Sequence, residues 1–189
     1  QAFTVTVNDV NDAPTGIALS ATAINGNAAG AVVGTLSTTD VDAGDTHTYT
    51  LSGTDASYFE VVSGQLKLKS SVTADYETKS SYAVTVTATD SGSLTTSQAF
   101  TVTVNDVNDA PTGIALSATA INENAAGAVV GTLSTTDANA SDSHTYSLSG
   151  TDASSFEVVS GQLKLKDSVT ADYETKASDA VTVTATDSG

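Results

Sequence analysis

The chain of 189 residues carries 22 acidic side chains against six lysines and no arginine, a formal charge of −16. With no cationic patch to release counterions from a phosphate backbone, nucleic acid is a poor partner. There is no cysteine, so neither disulfides nor thiolate metal sites stabilise the fold.

Val, Thr, Ser, Ala and Gly dominate, aromatics are only 5% of the chain, and no helical apolar period persists, so the chain reads as all-β. Residues 17–24 alternate loosely and predict a first strand. Further strands follow at 31–38, 46–52, 59–62, 65–69, 82–89 and 98–105. The last is the clearest: Phe100, Val102 and Val104 face one side while Thr101 and Thr103 face the other. Gly53, Ser63-Gly64 and Ser91-Gly92 supply turns. Seven short strands at this spacing predict an immunoglobulin-like sandwich of about 100 residues.

Residues 1–92 then recur at 98–189 without insertion or deletion, and only ten paired positions differ. A 97-residue period is long enough for one modest core, so two tandem sandwiches are expected rather than one large domain. Residues 1–10 read as the last strand of a preceding repeat plus a linker, 11–107 as the first repeat, and 108–189 as a second repeat lacking its final strand. The chain thus opens in mid-strand and reads as a piece of something larger. No signal peptide, transmembrane run or lipidation motif lies within it.

The acids are clustered. Sixteen of the 22 fall in predicted loops or linkers: Asp9, Asp12, Asp40, Asp42, Asp45, Asp75, Glu77, Asp90, Asp106, Asp109, Glu123, Asp137, Asp142, Asp172, Glu174 and Asp187. Spreading would suffice for solubility, whereas clustering calls for a counter-cation. Sandwich topology puts Asp40, Asp42 and Asp90 at one pole, beside Asp9-Val10-Asn11-Asp12. It puts Asp75 and Glu77 at the other, beside Asp106-Val107-Asn108-Asp109. Repeats stacked end to end would bring both clusters to one junction, which is untenable without cations. Hard oxygen donors without His or Cys favour Ca²⁺ over Zn²⁺, and Mg²⁺ prefers fewer protein ligands.

These motifs resemble the cadherin repeat, in particular the cadherin-like repeats of large bacterial surface and secreted adhesins. Asn122-Glu123-Asn124 is similar to the family's first-strand glutamate motif, and Asp40-Val41-Asp42 to its Asp-x-Asp loop. Asp75-Tyr76-Glu77 and Asp172-Tyr173-Glu174 resemble its Asp-x-Glu motif. Ala88-Thr89-Asp90-Ser91-Gly92 resembles its Ala-x-Asp-x-Gly turn, and Asp106-Val107-Asn108-Asp109-Ala110-Pro111 its linker. The resemblance spans both repeats and implies calcium at each junction, making a flexible string of domains rigid. The implied ligands are Asp9, Asn11, Asp12, Asp40, Asp42, Asp75, Glu77, Asp90, Asp106, Asn108, Asp109, Glu123, Asp137, Asn139, Asp172, Glu174 and Asp187.

The copies differ where ligands are expected: Gly26 stands opposite Glu123, and Asp42 opposite Asn139. The joint inside this chain would then draw on six carboxylates. One formed by the second repeat's exit and an approach like the first's would draw on eight, so the internal joint is expected to bind calcium more weakly. The family linker also carries a further Asn before its Pro, where Ala110 stands here.

Elsewhere, His47 and His144 share a strand face with Tyr49 and Leu51 or their copies, which reads as a rim position rather than a metal ligand. Lys67 and Lys69 alternate with Leu66 and Leu68 and point outward. Tyr58 and Tyr82 become Ser155 and Asp179, so both are expected to be exposed. No nucleophile motif occurs and no enzymatic function is expected. The expected function is a calcium-binding, rigid extender or adhesion module of a large extracellular bacterial protein at the cell surface. Its expected partners are adjacent repeats of the same protein, with homophilic self-association and no membrane insertion. The alternatives are a filament subunit joined by a donated strand 2–8, and a carbohydrate-binding module, which the lack of Trp disfavours.

Overall fold

Alternation of apolar and polar side chains becomes strand wherever a neighbouring strand is available to pair. The computed structural model describes Gln1–Gly189 and divides into two units, Gln1–Val107 and Asn108–Gly189. The first contains β1 (Gly16–Leu19), β2 (Ala23–Asn25), β3 (Val32–Thr39), β4 (Thr48–Ser52), β5 (Phe59–Val62), β6 (Gln65–Leu68), β7 (Ser81–Thr89) and β8 (Thr95–Asn105). One sheet runs β1-β3-β6-β5 and the other β2-β8-β7-β4. All pairings are antiparallel except β2 with β8, which is parallel. The only helix in this unit is a single 3₁₀ turn, Ala56–Tyr58.

The side chains facing inward close the core. Leu66, Leu68, Val86, Ala88 and Val102 are fully buried, with Val84, Phe59 and Val104 nearly so. Each buried Leu, Val or Phe contributes about 1.5–3 kcal/mol relative to exposure. Lys67 sits on the outer face near Glu60 (3.6 Å), between the two buried leucines, as the alternation predicts.

The single first strand expected at 17–24 is two strands in different sheets. The chain bends at residues 20–22, where Ser20 Oγ accepts the Thr35 N–H (2.9 Å). Beyond the bend, the Thr22 carbonyl accepts the Thr103 N–H (2.8 Å) from the opposite sheet. The crossing is close: a β-carbon on Gly34 would come within 2.8 Å of Ala21 N and Ser20 Oγ, and the β3–β6 register shifts between Val32 and Gly34. Ile17 and Ile24 fall on opposite sides of the bend and both enter the core.

The expectation for Tyr82 is also corrected. Tyr82 is buried, edge-on to Phe59 (5.6 Å) and Tyr58 (5.4 Å), while Tyr58 remains 40% exposed. Beneath this pair lies a buried acid, Asp55, which accepts from Lys79 Nζ (2.7 Å) and from the Ala83 N–H (2.8 Å). Lys79 in turn lies 5.1 Å from the Tyr82 ring centre, within cation–π range.

The second unit repeats one sheet intact: β9 (Gly113–Leu116), β10 (Val129–Thr136), β12 (Phe156–Val159) and β13 (Gln162–Leu165), in the order β12-β13-β10-β9. Its other sheet has only β11 (Thr145–Ser149) and β14 (Thr182–Thr186). Residues 120–122, the counterpart of β2, form no strand, and β14 is shorter than β7. Only Leu133, Phe156, Leu163 and Leu165 form its buried core. Residues 1–8, expected as a strand, make no strand pairing and are exposed. The edge that their sequence twin Gln98–Asn105 occupies in the first unit is already filled by β8, and an unpaired strand has no ladder to hold it. No helix is long and apolar enough to cross a membrane.

Candidate metal centres

At one end of the first unit the loop after β3 meets the turn after β7. Asp40, Asp45 and Asp90 each offer a carboxylate oxygen there, all within 4.8 Å of one another. Asp90 is buried; its Oδ1 accepts the Leu94 N–H (2.8 Å) and its Oδ2 accepts from Asn11 Nδ2 (3.2 Å). Asp42 Oδ2 accepts the Asp12 N–H (2.6 Å), which draws the approaching segment against the loop. A β-carbon on Gly92 would meet the Asn11 side chain, which would have to turn aside from its place against Asp90. Asp9 is exposed.

Asp40 is fixed from two sides. Its Oδ1 accepts the Asp42 N–H (3.1 Å), and its Oδ2 lies 2.9 Å from His47 Nε2. The His47 ring beside it holds its carboxyl below the usual carboxylate range. His47 is half-buried on the face of Tyr49 and Leu51, in the rim position its spacing predicts, and its working contact is an acid.

Asp45 was not among the ligands read from the sequence. Its Oδ1 accepts from Ser91 Oγ (2.8 Å), whereas its Oδ2 is closed off from solvent with no hydrogen-bond partner. Leaving a buried carboxylate oxygen unpaired is costly, and a cation shared with Asp40 and Asp90 would satisfy it. A signal existed in the sequence: positions 41, 42, 44 and 46 all differ from their copies, but Asp45 and its copy Asp142 do not.

At the opposite end of the first unit, the Gly26 N–H donates to the Asn105 carbonyl (3.0 Å) and the Asn27 N–H to the Ala74 carbonyl (2.8 Å). These bonds gather residue 26, the turn after Ala74 and the end of β8. Asp75 caps that turn, accepting from the Thr78 N–H and hydroxyl (both 2.9 Å), and the Thr78 N–H is the main cause of its lowered pKa. Turn capping and ion binding are compatible, because each carboxylate oxygen has a second lone pair. Glu77 and Asp106 are exposed beside this turn and strand end.

The second unit carries the copies. Glu123, Asp172 and Glu174 bring carboxylate oxygens within 4.8 Å of one another, all exposed. Glu123 Oε2 accepts the Tyr173 N–H (3.1 Å), and Asp172 is capped by Thr175, whose hydroxyl (2.8 Å) chiefly lowers its pKa. At the other end of this unit Asn139 Oδ1 accepts the Asp109 N–H (2.7 Å), reproducing the Asp42 contact with one charge fewer. Asp137 accepts the Asn139 N–H (3.0 Å) and lies 2.9 Å from His144, which lowers its pKa. Asp187 Oδ1 accepts the Gly189 N–H (3.2 Å), and Asn108 lies against Gly189. Asp142 Oδ2 repeats the orphaned state of Asp45.

Two oxygens each about 2.4 Å from a Ca²⁺ ion can be at most about 4.8 Å apart. Both three-carboxylate groups meet that limit, and their all-oxygen donor sets suit a hard cation.

Comparison with known proteins agrees with the fold. The cadherin domain family matches residues 20–105. Human protocadherin-24 EC1-2 is similar in two crystal structures. One has 28% identity and a TM-score of 0.63, over 82% of this chain and 80% of that one. The other has 24% identity and a TM-score of 0.65, over 95% and 94%. Mouse cadherin-23 EC22-24 matches at 24% identity and a TM-score of 0.55, over 82% of this chain and 54% of that one. No curated protein matches. The chain is therefore built from two cadherin-like β-sandwich repeats, and the cadherin domain match falls on the first.

Proposed function

We propose that this chain is a calcium-binding extender and adhesion module of a large extracellular protein of the bacterial surface-adhesin type. Ions held by the acidic ends of each repeat would stiffen a string of otherwise loosely linked domains. The observation that carries this reading is that Asp45, whose Oδ2 is shut off from solvent without a hydrogen-bond partner, brings a carboxylate oxygen within 4.8 Å of those of Asp40 and Asp90. An acid placed there for solubility would turn both oxygens to water. Asp90 and Asp40 are likewise held in place by backbone N–H groups, which pre-orders the donors before an ion arrives.

Calcium titration by calorimetry tests the reading, with dissociation constants of about 10⁻⁴–10⁻³ M expected for an extracellular module. Small-angle scattering should show the distribution of shapes broadening when a chelator is added. Absence of binding at millimolar calcium would refute the metal assignment. Binding without any change in scattering would refute the stiffening.

A further inference from the structure

We propose that Asn139 is an attachment site for an N-linked oligosaccharide, carried by the second repeat and not by the first. Asn139-Ala140-Ser141 is an Asn-x-Ser acceptor, and Asp137 stands two residues ahead of the Asn. No other Asn in the chain has Ser or Thr two residues on. The first repeat has Asp42-Ala43-Gly44 at the matching positions. Both residues that define the acceptor are therefore among the ten that differ between the copies.

Neither change is one that the fold asks for. Asn139 Oδ1 accepts the Asp109 N–H (2.7 Å) as Asp42 Oδ2 accepts that of Asp12 (2.6 Å). What Asn adds is an amide nitrogen in place of the second carboxylate oxygen. Gly44 has φ of 102°, whereas Ser141 lies outside the positive-φ region. The same turn closes in both copies all the same: the Asp45 N–H donates to the Asp42 carbonyl (3.2 Å) and the Asp142 N–H to that of Asn139 (3.0 Å). What Ser141 adds is a hydroxyl. The segment lies between β10 and β11, with Ala138, Ala140 and Ser141 exposed around the half-buried Asn139. A bulky, solubilising sugar needs a surface loop of this kind.

In the transfer, Asn139 Nδ2 attacks the anomeric carbon of a lipid-pyrophosphate-linked oligosaccharide. A carbon–nitrogen bond forms as the carbon–oxygen bond to phosphate breaks. The lipid pyrophosphate leaves with the electron pair, and the amide proton passes to a base of the transferase. Oδ1 is not consumed, so it still accepts the Asp109 N–H. Transfer precedes folding of the loop. Once folded, Asp137 accepts the Asn139 N–H (3.0 Å) and turns its other oxygen to His144 (2.9 Å), which curls the acceptor away from an enzyme's reach. This inference rests on the proposed extracellular setting, which brings the chain past a membrane-bound transferase, and is independent of calcium.

The test exports the chain into a bacterial periplasm supplied with a lipid-linked oligosaccharide and a transferase that takes acidic-x-Asn-x-Ser acceptors. Intact mass and peptide mapping should show the gain of one oligosaccharide, on the peptide holding Asn139. Asn139→Asp and Ser141→Gly should each abolish that gain. Both install the residues with which the first repeat already builds this loop, so the fold is kept. The double change Asp42→Asn/Gly44→Ser should add a second oligosaccharide, since Asp40 already stands two residues ahead. In vitro, the folded unmodified chain should be modified far more slowly than a peptide of the 135–143 sequence. A chain that emerges unmodified, one still modified without Ser141, or a double variant that gains only one sugar overturns the proposal. A folded chain modified as fast as the peptide overturns the order of events. Because the host supplies the export, failure here leaves the extracellular reading and the calcium titration untouched.

Discussion

Installing Glu at position 26 should convert the weaker acidic end of the first repeat into the stronger end of the second. The backbone accepts it: Asn27 and Asn124 have φ of 62° and 61°, so the two copies share the local conformation. A β-carbon at Gly26 would sit 3.3 Å from the Asn105 carbonyl oxygen, which must give by a few tenths of an ångström, with other atoms at 3.8 Å and beyond. The new carboxylate would reach the Tyr76 N–H as Glu123 reaches that of Tyr173, and join Asp75 and Glu77. At about 4.8 Å in water, two like-charge pairs cost about 1.7 kcal/mol together, while a divalent ion about 2.4 Å from the added carboxylate gains about 3.5 kcal/mol. Exposed carboxylates swing apart when free and are gathered by the ion, so both terms enter the binding step. The net is about 1.8 kcal/mol, or somewhat more than tenfold in calcium affinity. Calorimetry on Gly26→Glu and on the reverse change Glu123→Gly should show shifts of opposite sign. Unchanged affinity in both would refute the reasoning.

Three further outcomes are expected. Asp55→Ala removes the acceptor for both Lys79 and the Ala83 N–H; because Lys79 is partly exposed and can rehydrate, the loss should be about 2–3 kcal/mol, read from the urea midpoint. Asp45→Asn should stabilise the chelated protein by about 1 kcal/mol by removing a buried charge, while shrinking the rise in melting temperature on adding calcium. In chelator, acid should destabilise the fold only below about pH 4. Asp40, Asp55, Asp75, Asp137, Asp152 and Asp172 all have folded pKa values depressed by their partners. Their stabilisation is thus complete above the unfolded value of about 3.9 and is lost as pH falls through the folded values. A melting temperature that falls steeply between pH 7 and 5 would contradict this.

What could be read in the sequence was whatever depends on local pattern. Strict alternation at Phe100, Val102 and Val104 marked a strand and its inward face, and Leu66 and Leu68 marked another. Clustering of acids marked the loops that converge. What escaped depends on tertiary proximity. The split of the first strand hinges on Gly34 passing under Ala21, a contact between residues far apart in sequence. Tyr82 was judged exposed because its copy is Asp179, an inference that assumes both copies have the same surroundings. They differ: Tyr82 packs edge-on to Phe59 and Tyr58, whereas at the second position Ser155 replaces Tyr58 and Asp179 pairs with Lys176 (3.0 Å). His47 was legible as a rim residue, but its role in holding Asp40 required the loop to fold back over the strand.

The parallel pairing of β2 with β8 bears on how the first repeat responds to tension. These are its early and late strands, and they run in the same direction side by side. Pulling the two ends of the repeat apart drags one strand lengthwise past the other, so the rungs at Ala23, Ile24 and Asn25 share the load together. An antiparallel hairpin pulled from its open end would instead unzip one rung at a time. The bend at residues 20–22 therefore does more than move the chain between sheets: it recruits the first strand into a clasp that resists shear.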